Sequence, residues 1–230
     1  MSRIRTLTLA AVLALLALGS PAPAGPISYA VTVDTLSSYF SGVTGSLDFQ
    51  FNPGDATAQA ATATITNFMT DGTVGSVIPP TPPMTGGGAS GMLPGTVSIV
   101  NSALSPDSNE LNQAFTYGST FSFILTFSGD AVDNPNDSGS GSTFRLFLLD
   151  GSGNTLPPNM PNSPLGEVLD IDLNPDGTTT AFTFPFIDNS GAQQPAVATA
   201  VVIPEPGLLG LLGLGLAGLW GCRRFRAGRR

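Results

Sequence analysis

Apolar and polar side chains alternate along the central part of the chain. In residues 45–52, Leu47, Phe49 and Phe51 would face one side of a strand, while the polar residues between them would face the other. The same period of two occurs in four further stretches, Tyr29-Val31-Val33, Phe121-Phe123-Leu125-Phe127, Leu169-Ile171-Leu173 and Phe182-Phe184-Phe186. Residues 61–68 and 96–101 show it more weakly. We therefore predict a half-buried strand in each stretch and no helix between them.

One stretch, residues 144–149, is apolar on both faces apart from Arg145. Such a segment is typical of a central strand that is covered on both sides. The strands are separated by turn sequences, whose residues supply a fixed φ, a side-chain acceptor or tolerance of positive φ. These turns are Asn52-Pro53-Gly54, Asn134-Pro135-Asn136, Asn174-Pro175-Asp176-Gly177 and Asp188-Asn189-Ser190-Gly191. Proline-rich residues 78–94 and 156–164 predict two longer loops.

Strands, turns and loops of this kind predict an all-β fold. We expect residues 25–202 to form one antiparallel β-sandwich or jelly roll of about eight to ten short strands. The chain has 14 phenylalanines, and all but Phe225 lie in this part, where they can fill the interior. The order of the strands is left open.

The N-terminal 24 residues have the pattern of a secretory signal peptide. Arg3 and Arg5 precede an apolar run over residues 6–19, and the small residues Ala22 and Ala24 follow it. This order predicts a signal peptide helix over residues 1–24 and cleavage by signal peptidase after Ala24. A membrane helix is the alternative, but the run is shorter than the roughly 20 residues that a span needs.

The C-terminal part, residues 203–230, has three elements in a fixed order. Pro204-Glu205-Pro206 precedes residues 207–222, which carry no charge, and five arginines follow: Arg223, Arg224, Arg226, Arg229 and Arg230. The order predicts a transmembrane helix whose basic end stays in the cytoplasm. Sixteen helical residues reach roughly 24 Å, so this helix is a short span for a bilayer core of roughly 30 Å.

This order resembles the PEP-CTERM sorting signal of exported bacterial proteins. The resemblance implies that Pro204, Glu205 and Pro206 are recognised by exosortase, a membrane protease-transferase, and that the helix and the arginine tail are removed or replaced. It also implies a Gram-negative host that makes exopolysaccharide. A plain tail anchor, in which Pro-Glu-Pro only separates the helix from the body, is the alternative.

Charge and composition exclude several functions for residues 25–202. This part carries Arg145 against fifteen acidic residues, a formal charge of −14, so it offers no basic surface for nucleic acid. The chain has no His and one Cys, which excludes a Ser-His-Asp triad and ordinary zinc sites. A glycosidase needs only two carboxylates, but the single tryptophan, Trp220, lies in the predicted anchor. We therefore expect no enzymatic activity.

Calcium is the one cofactor that the sequence suggests. Asp172, Asn174 and Asp176 precede Gly177 with the spacing of the first half of a calcium loop, and calcium prefers such oxygen ligands. The twelfth position is Thr183, where an EF-hand needs a bidentate Glu. The same residues also predict a β-hairpin with a type I turn. A second acidic group with the same potential contains Asp130, Asp133, Asn134, Asn136 and Asp137.

The sequence thus predicts an exported protein that is first anchored in the inner membrane and then reaches the cell surface or extracellular matrix. We expect a structural or adhesive role associated with exopolysaccharide. A calcium-dependent carbohydrate-binding module is the alternative, and a hydrolase is a third class.

Overall fold

The computed structural model describes residues 25–36, 39–40, 42–80, 88–102 and 109–204. Within them lie fourteen strands and one single-turn helix, α1. In chain order these are β1 Ile27–Asp34, β2 Thr44–Pro53, β3 Thr62–Thr70, β4 Thr73–Val77, β5 Ala89–Gly91, β6 Val97–Val100, β7 Glu110–Thr116, β8 Thr120–Ser128, α1 Asp130–Asp133, β9 Ser142–Asp150, β10 Leu169–Leu173, β11 Thr179–Thr183, β12 Phe186–Ile187, β13 Gln193–Gln194 and β14 Ala198–Ile203.

Twelve of these strands form two six-stranded sheets, β12 and β13 form a separate two-stranded sheet, and every strand pair is antiparallel. The first sheet has the order β14-β1-β8-β3-β6-β5, and the second has the order β11-β10-β9-β2-β7-β4. Strands β1 to β4 therefore alternate between the two sheets along the chain, a connectivity that jelly rolls use. The predicted all-β, antiparallel class is confirmed.

Aromatic rings join the inner faces of the two sheets. The ring centroids of Phe49 and Phe123 lie 5.6 Å apart, and those of Phe51 and Phe127 lie 5.5 Å apart. Such edge-to-face and tilted pairs add to the stabilisation that comes from burying the rings. All four rings are buried, as the alternation predicted, and the two sheets face each other across one core.

The segment predicted as a central strand is β9, which lies between β10 and β2 in the second sheet. Its Phe144, Leu146 and Leu148 point into the core and are fully buried. Arg145 and Phe147 lie on the opposite, outer face, where Phe147 is also buried. The prediction for residues 144–149 is confirmed.

The predicted stripe of Phe182, Phe184 and Phe186 is wrong. Strand β11 ends at Thr183, because Pro185 has no N–H to continue a ladder, and Phe186 belongs to the separate strand β12. Phe186 is buried, whereas Phe182 lies opposite Asp170 on the outer face of the second sheet and is 46% exposed.

Other elements have no clear sequence signal. Strand β5 lies inside the predicted loop of residues 78–94, and α1 is a helical turn where we predicted only loop. The alternation of apolar residues does not predict strand β7, because Gln113 interrupts its apolar stripe. The Gln113 side chain is buried in the core, where it accepts a hydrogen bond from Leu93 N and donates to Gly75 O at 2.9 Å.

Candidate sorting site

The last strand, β14, forms an edge of the first sheet and leads directly into the predicted sorting motif. Among the described strands it pairs with β1 alone, in a register that runs from Ala198 opposite Val33 to Ile203 opposite Ser28. Its last residues are exposed, and Val201 has 64% of its surface accessible. No described strand pairs with the second side of β14, which makes β14 an edge strand of this part of the chain.

Pro204 follows the last paired residue, Ile203, and it is exposed. Proline lacks the N–H that a further ladder bond would need, so its position ends the strand. The predicted motif therefore begins without a spacer after the folded body. Glu205 and Pro206 lie outside the described residues, and so do the basic tail, the predicted helix over residues 207–222, and the predicted signal peptide with Ala22 and Ala24.

The pairing of β14 with β1 also places the two ends of the body at one corner. Ile203 lies opposite Ser28, three residues after the predicted mature start. Within the part of the chain that the structure covers, no helix is both long and apolar enough to cross a bilayer.

Comparison with known proteins identifies the motif. The PEP-CTERM protein-sorting motif matches residues 202–226. No curated protein and no solved structure matches the chain. The match confirms the resemblance that the three C-terminal elements carry, and it indicates export, a membrane-anchored precursor and processing by exosortase. Its first two residues, Val202 and Ile203, are still paired with β1.

The proposed calcium ligands lie on a β-hairpin, as the second interpretation of these residues predicted. Strands β10 and β11 pair from Leu169 opposite Thr183 to Leu173 opposite Thr179. The turn closes with a bond from Gly177 N to Asn174 O at 2.9 Å, and Gly177 has a φ of +78°. Such positive φ angles favour glycine.

Each of the three side chains makes a hydrogen bond within the protein, and Asn174 and Asp176 share Thr178 as their partner. Asp172 Oδ1 accepts a bond from Thr143 Oγ1 at 2.7 Å, and Asp176 Oδ1 accepts from the N–H and hydroxyl of Thr178. The latter two bonds lower the pKa of Asp176. Asn174 Nδ2 donates to the Thr178 hydroxyl at 3.1 Å. Among the described residues, no three His, Cys, Asp or Glu side chains are placed to hold a metal, and calcium binding at this hairpin stays a prediction.

A group of polar side chains that the sequence did not reveal lies on the outer face of the second sheet, which also carries Phe147 and Phe182. We call it the polar face, and it contains Asp48, Gln50, Asn52, Glu110, Asn112, Arg145, Asp170 and Asp172. Its residues come from four strands, β2, β7, β9 and β10. On β2 the polar positions were visible in the alternation, but only the pairing of distant strands brings the eight side chains together.

Two carboxyl groups of the polar face have strongly raised pKa values. Burial raises the pKa of Asp48 to about 7, an effect that the hydrogen bond from Gln50 opposes and the charge of Glu110 reinforces. Burial also raises the pKa of Asp170 to about 7, together with the charge of Glu167 and against the attraction of Arg145. Perturbed carboxyl groups of this kind occur at functional sites more often than elsewhere.

Proposed function

We propose that this protein is an exported structural or adhesive component of the cell surface or extracellular matrix of a Gram-negative bacterium, associated with exopolysaccharide and without enzymatic activity. The observation that carries the proposal is the PEP-CTERM motif at residues 202–226, which continues the last strand of a folded β-domain. A domain so joined to a sorting signal is delivered as a unit to wherever the signal directs it.

The charge and shape of the body support a passive role. Its formal charge of −14 in residues 25–202 keeps the protein soluble and apart from nucleic acid. Two stacked sheets with an aromatic core form a rigid scaffold that can present a surface. On this proposal signal peptidase acts after Ala24, exosortase acts at the Pro-Glu-Pro motif, and the helix predicted over residues 207–222 holds the precursor in the inner membrane until then.

Intact mass of the protein from its own host tests the sorting step. The full chain has a mass of 23.4 kDa, and we expect the extracellular form to lack both ends. A Pro204→Ala variant should accumulate in the membrane fraction with only the signal peptide removed. Pro195→Ala, a change at an exposed proline outside the matched motif, is the matched control and should be processed normally.

Two results would contradict the proposal. Wild-type protein that keeps residues 203–230 in every fraction would be a plain tail-anchored protein. Equal processing of the Pro204→Ala and Pro195→Ala variants would mean that the Pro-Glu-Pro residues are not recognised. For the adhesive role, the corresponding test is co-purification of the processed protein with the extracellular polysaccharide of its host.

A further inference from the structure

The sorting motif begins on a part of the chain that is still folded. The match starts at Val202, and Val202 and Ile203 pair with Tyr29 and Ser28 of β1. Pro204, the first residue of the Pro-Glu-Pro sequence, follows Ile203 directly. The residues that exosortase has to reach therefore lie against the folded body.

Little chain separates the body from the predicted membrane span. Only Pro204, Glu205 and Pro206 lie between Ile203 and the helix predicted over residues 207–222. Three residues span at most about 10 Å, even when the chain is fully extended. An enzyme that holds the motif from both sides thus has a gap no wider than about one helix diameter between the body and the bilayer.

The end of β14 is held weakly. Val201, Val202 and Ile203 are 64%, 53% and 37% exposed. The positions of β14 that face the core are Ala198, Ala200 and Val202, so two of the three carry only a methyl group. Burial stabilises in proportion to the apolar area removed from water, and elements with few buried apolar contacts open first. Release of the last three residues of β14 therefore costs little.

Strand β1 keeps its place when the end of β14 is released. On its other side it pairs with β8, from Ile27 opposite Phe127 to Asp34 opposite Thr120. Its Tyr29 hydroxyl also forms a hydrogen bond of 2.7 Å with the Thr179 hydroxyl of β11, in the second sheet. None of these contacts involves β14, so the body stays folded while the end of β14 detaches.

We propose that Val201, Val202 and Ile203 detach from β1 before processing, and that exosortase binds residues 201–206 as one extended segment. Detachment lengthens the free chain from three residues to six, which reach about 20 Å. The rate of processing then follows the fraction of molecules in which the end of β14 is detached. That the enzyme is exosortase rests on the proposed function.

Two disulfide staples between β1 and β14 test the proposal. Ser28→Cys with Ile203→Cys joins the last residue pair, and Thr32→Cys with Thr199→Cys joins a pair four residues further from the motif. Directly opposed residues of an antiparallel ladder have Cα atoms about 4.5–5.5 Å apart, a distance that a disulfide can bridge. The exported protein meets an oxidising compartment, where such bridges form.

Intact mass of the full chain expressed in its own host gives the processed fraction of each variant. We expect the staple at Ile203 to lower this fraction about tenfold or more, because it holds the end of β14 in place. The staple at Thr199 should leave the fraction as in the wild type, since residues 200–203 can still detach. Alkylation of free thiols before the measurement confirms that each bridge has formed.

Two controls separate the bridge from its side effects. The single variants Ser28→Cys and Ile203→Cys carry the same substitutions without a bridge and should be processed like the wild type. A flexible Gly-Ser spacer of about six residues, inserted between Ile203 and Pro204 of the variant stapled at Ile203, should restore processing, because it supplies the missing length of chain. Restoration would also establish that the stapled body is folded and exported.

Two outcomes would overturn the proposal. Equal processed fractions in the two stapled variants would mean that detachment of the last three residues does not control processing, and normal fractions in both would mean that exosortase acts with β14 in place. Failure of the spacer to restore processing would mean that the staple at Ile203 does not act through the length of free chain. Failure of the proposed function is separate, because the wild type itself would then keep residues 203–230.

Discussion

Asp48 should make the stability of this protein fall as pH rises towards neutrality. Its carboxyl group is buried on the polar face, and burial raises its pKa from 3.8 to about 7. Between these two pH values the folded protein holds a proton that the unfolded chain has lost. Stability falls with pH wherever the folded state binds more protons. The contribution of Asp48 is therefore complete below about pH 4 and is lost as pH rises through about 7.

The size of the effect follows from the two pKa values. Each pKa unit corresponds to about 1.4 kcal/mol, so a change from 3.8 to about 7 corresponds to about 4 kcal/mol. Asp48→Asn removes the titrating group and keeps its shape. We expect the difference in the free energy of unfolding, variant minus wild type, to increase by about 4 kcal/mol between pH 4 and pH 8. For a domain of this size, that is a change of roughly 8–16 °C in the difference between the two melting temperatures.

Urea denaturation at intervals between pH 4 and pH 8 measures this difference directly. Asp133→Asn is the control, because it removes an exposed carboxyl group. Exposed aspartates with lowered pKa values, such as Asp188 at about 2, lose their contribution to stability only as pH falls. They titrate alike in the wild type and in both variants. If the profiles of the Asp48→Asn and Asp133→Asn variants run parallel to the wild type over the whole range, the reasoning about Asp48 is refuted.

Three further predictions concern the core and the hairpin. Gln113→Ala should destabilise the fold by about 1–3 kcal/mol, because it leaves Leu93 N buried without an acceptor; a change below 1 kcal/mol in urea denaturation would contradict this. Gly177→Ala should cost about 1–2 kcal/mol at its φ of +78°, which thermal melting checks against Gly151→Ala, a glycine without a positive φ. Millimolar calcium should raise the melting temperature if the hairpin binds it, and Asp176→Asn should remove that rise; no rise in the wild type would end the calcium hypothesis.

The strands that the sequence predicted are those in which every second residue is apolar. Leu47, Phe49 and Phe51 are fully buried, and the alternation alone was sufficient to place them. Where a core position is polar, as at Gln113, the pattern fails, because hydrogen bonds to Leu93 and Gly75 satisfy that side chain only in the folded sheet. The alternation of apolar residues predicts which apolar side chains are buried. It does not predict a buried polar side chain whose hydrogen bonds are made within the folded protein.

The sorting motif and the polar face also differ in how far they could be predicted from the sequence. The sorting motif is contiguous in the chain, so its three elements could be recognised from residue order. The polar face is assembled from strands that are distant in the sequence, and Asp48 and Asn112 become neighbours only through the pairing of β2 with β7. Since strand order could not be derived from alternation, neither could this surface.

The junction between β14 and the membrane anchor also determines how the domain bears load. While the precursor is anchored, any pull on the body is transmitted through Ile203 to the six residue pairs that join β14 to β1. A pull parallel to β14 is shared by all of these hydrogen bonds and strains them in shear, whereas a pull across the sheet breaks them one after another, beginning at Ser28. The pairing of β14 with β1 therefore resists a force along the strand better than a force across the sheet. The anchored body withstands a pulling force best when β14 is aligned with that force.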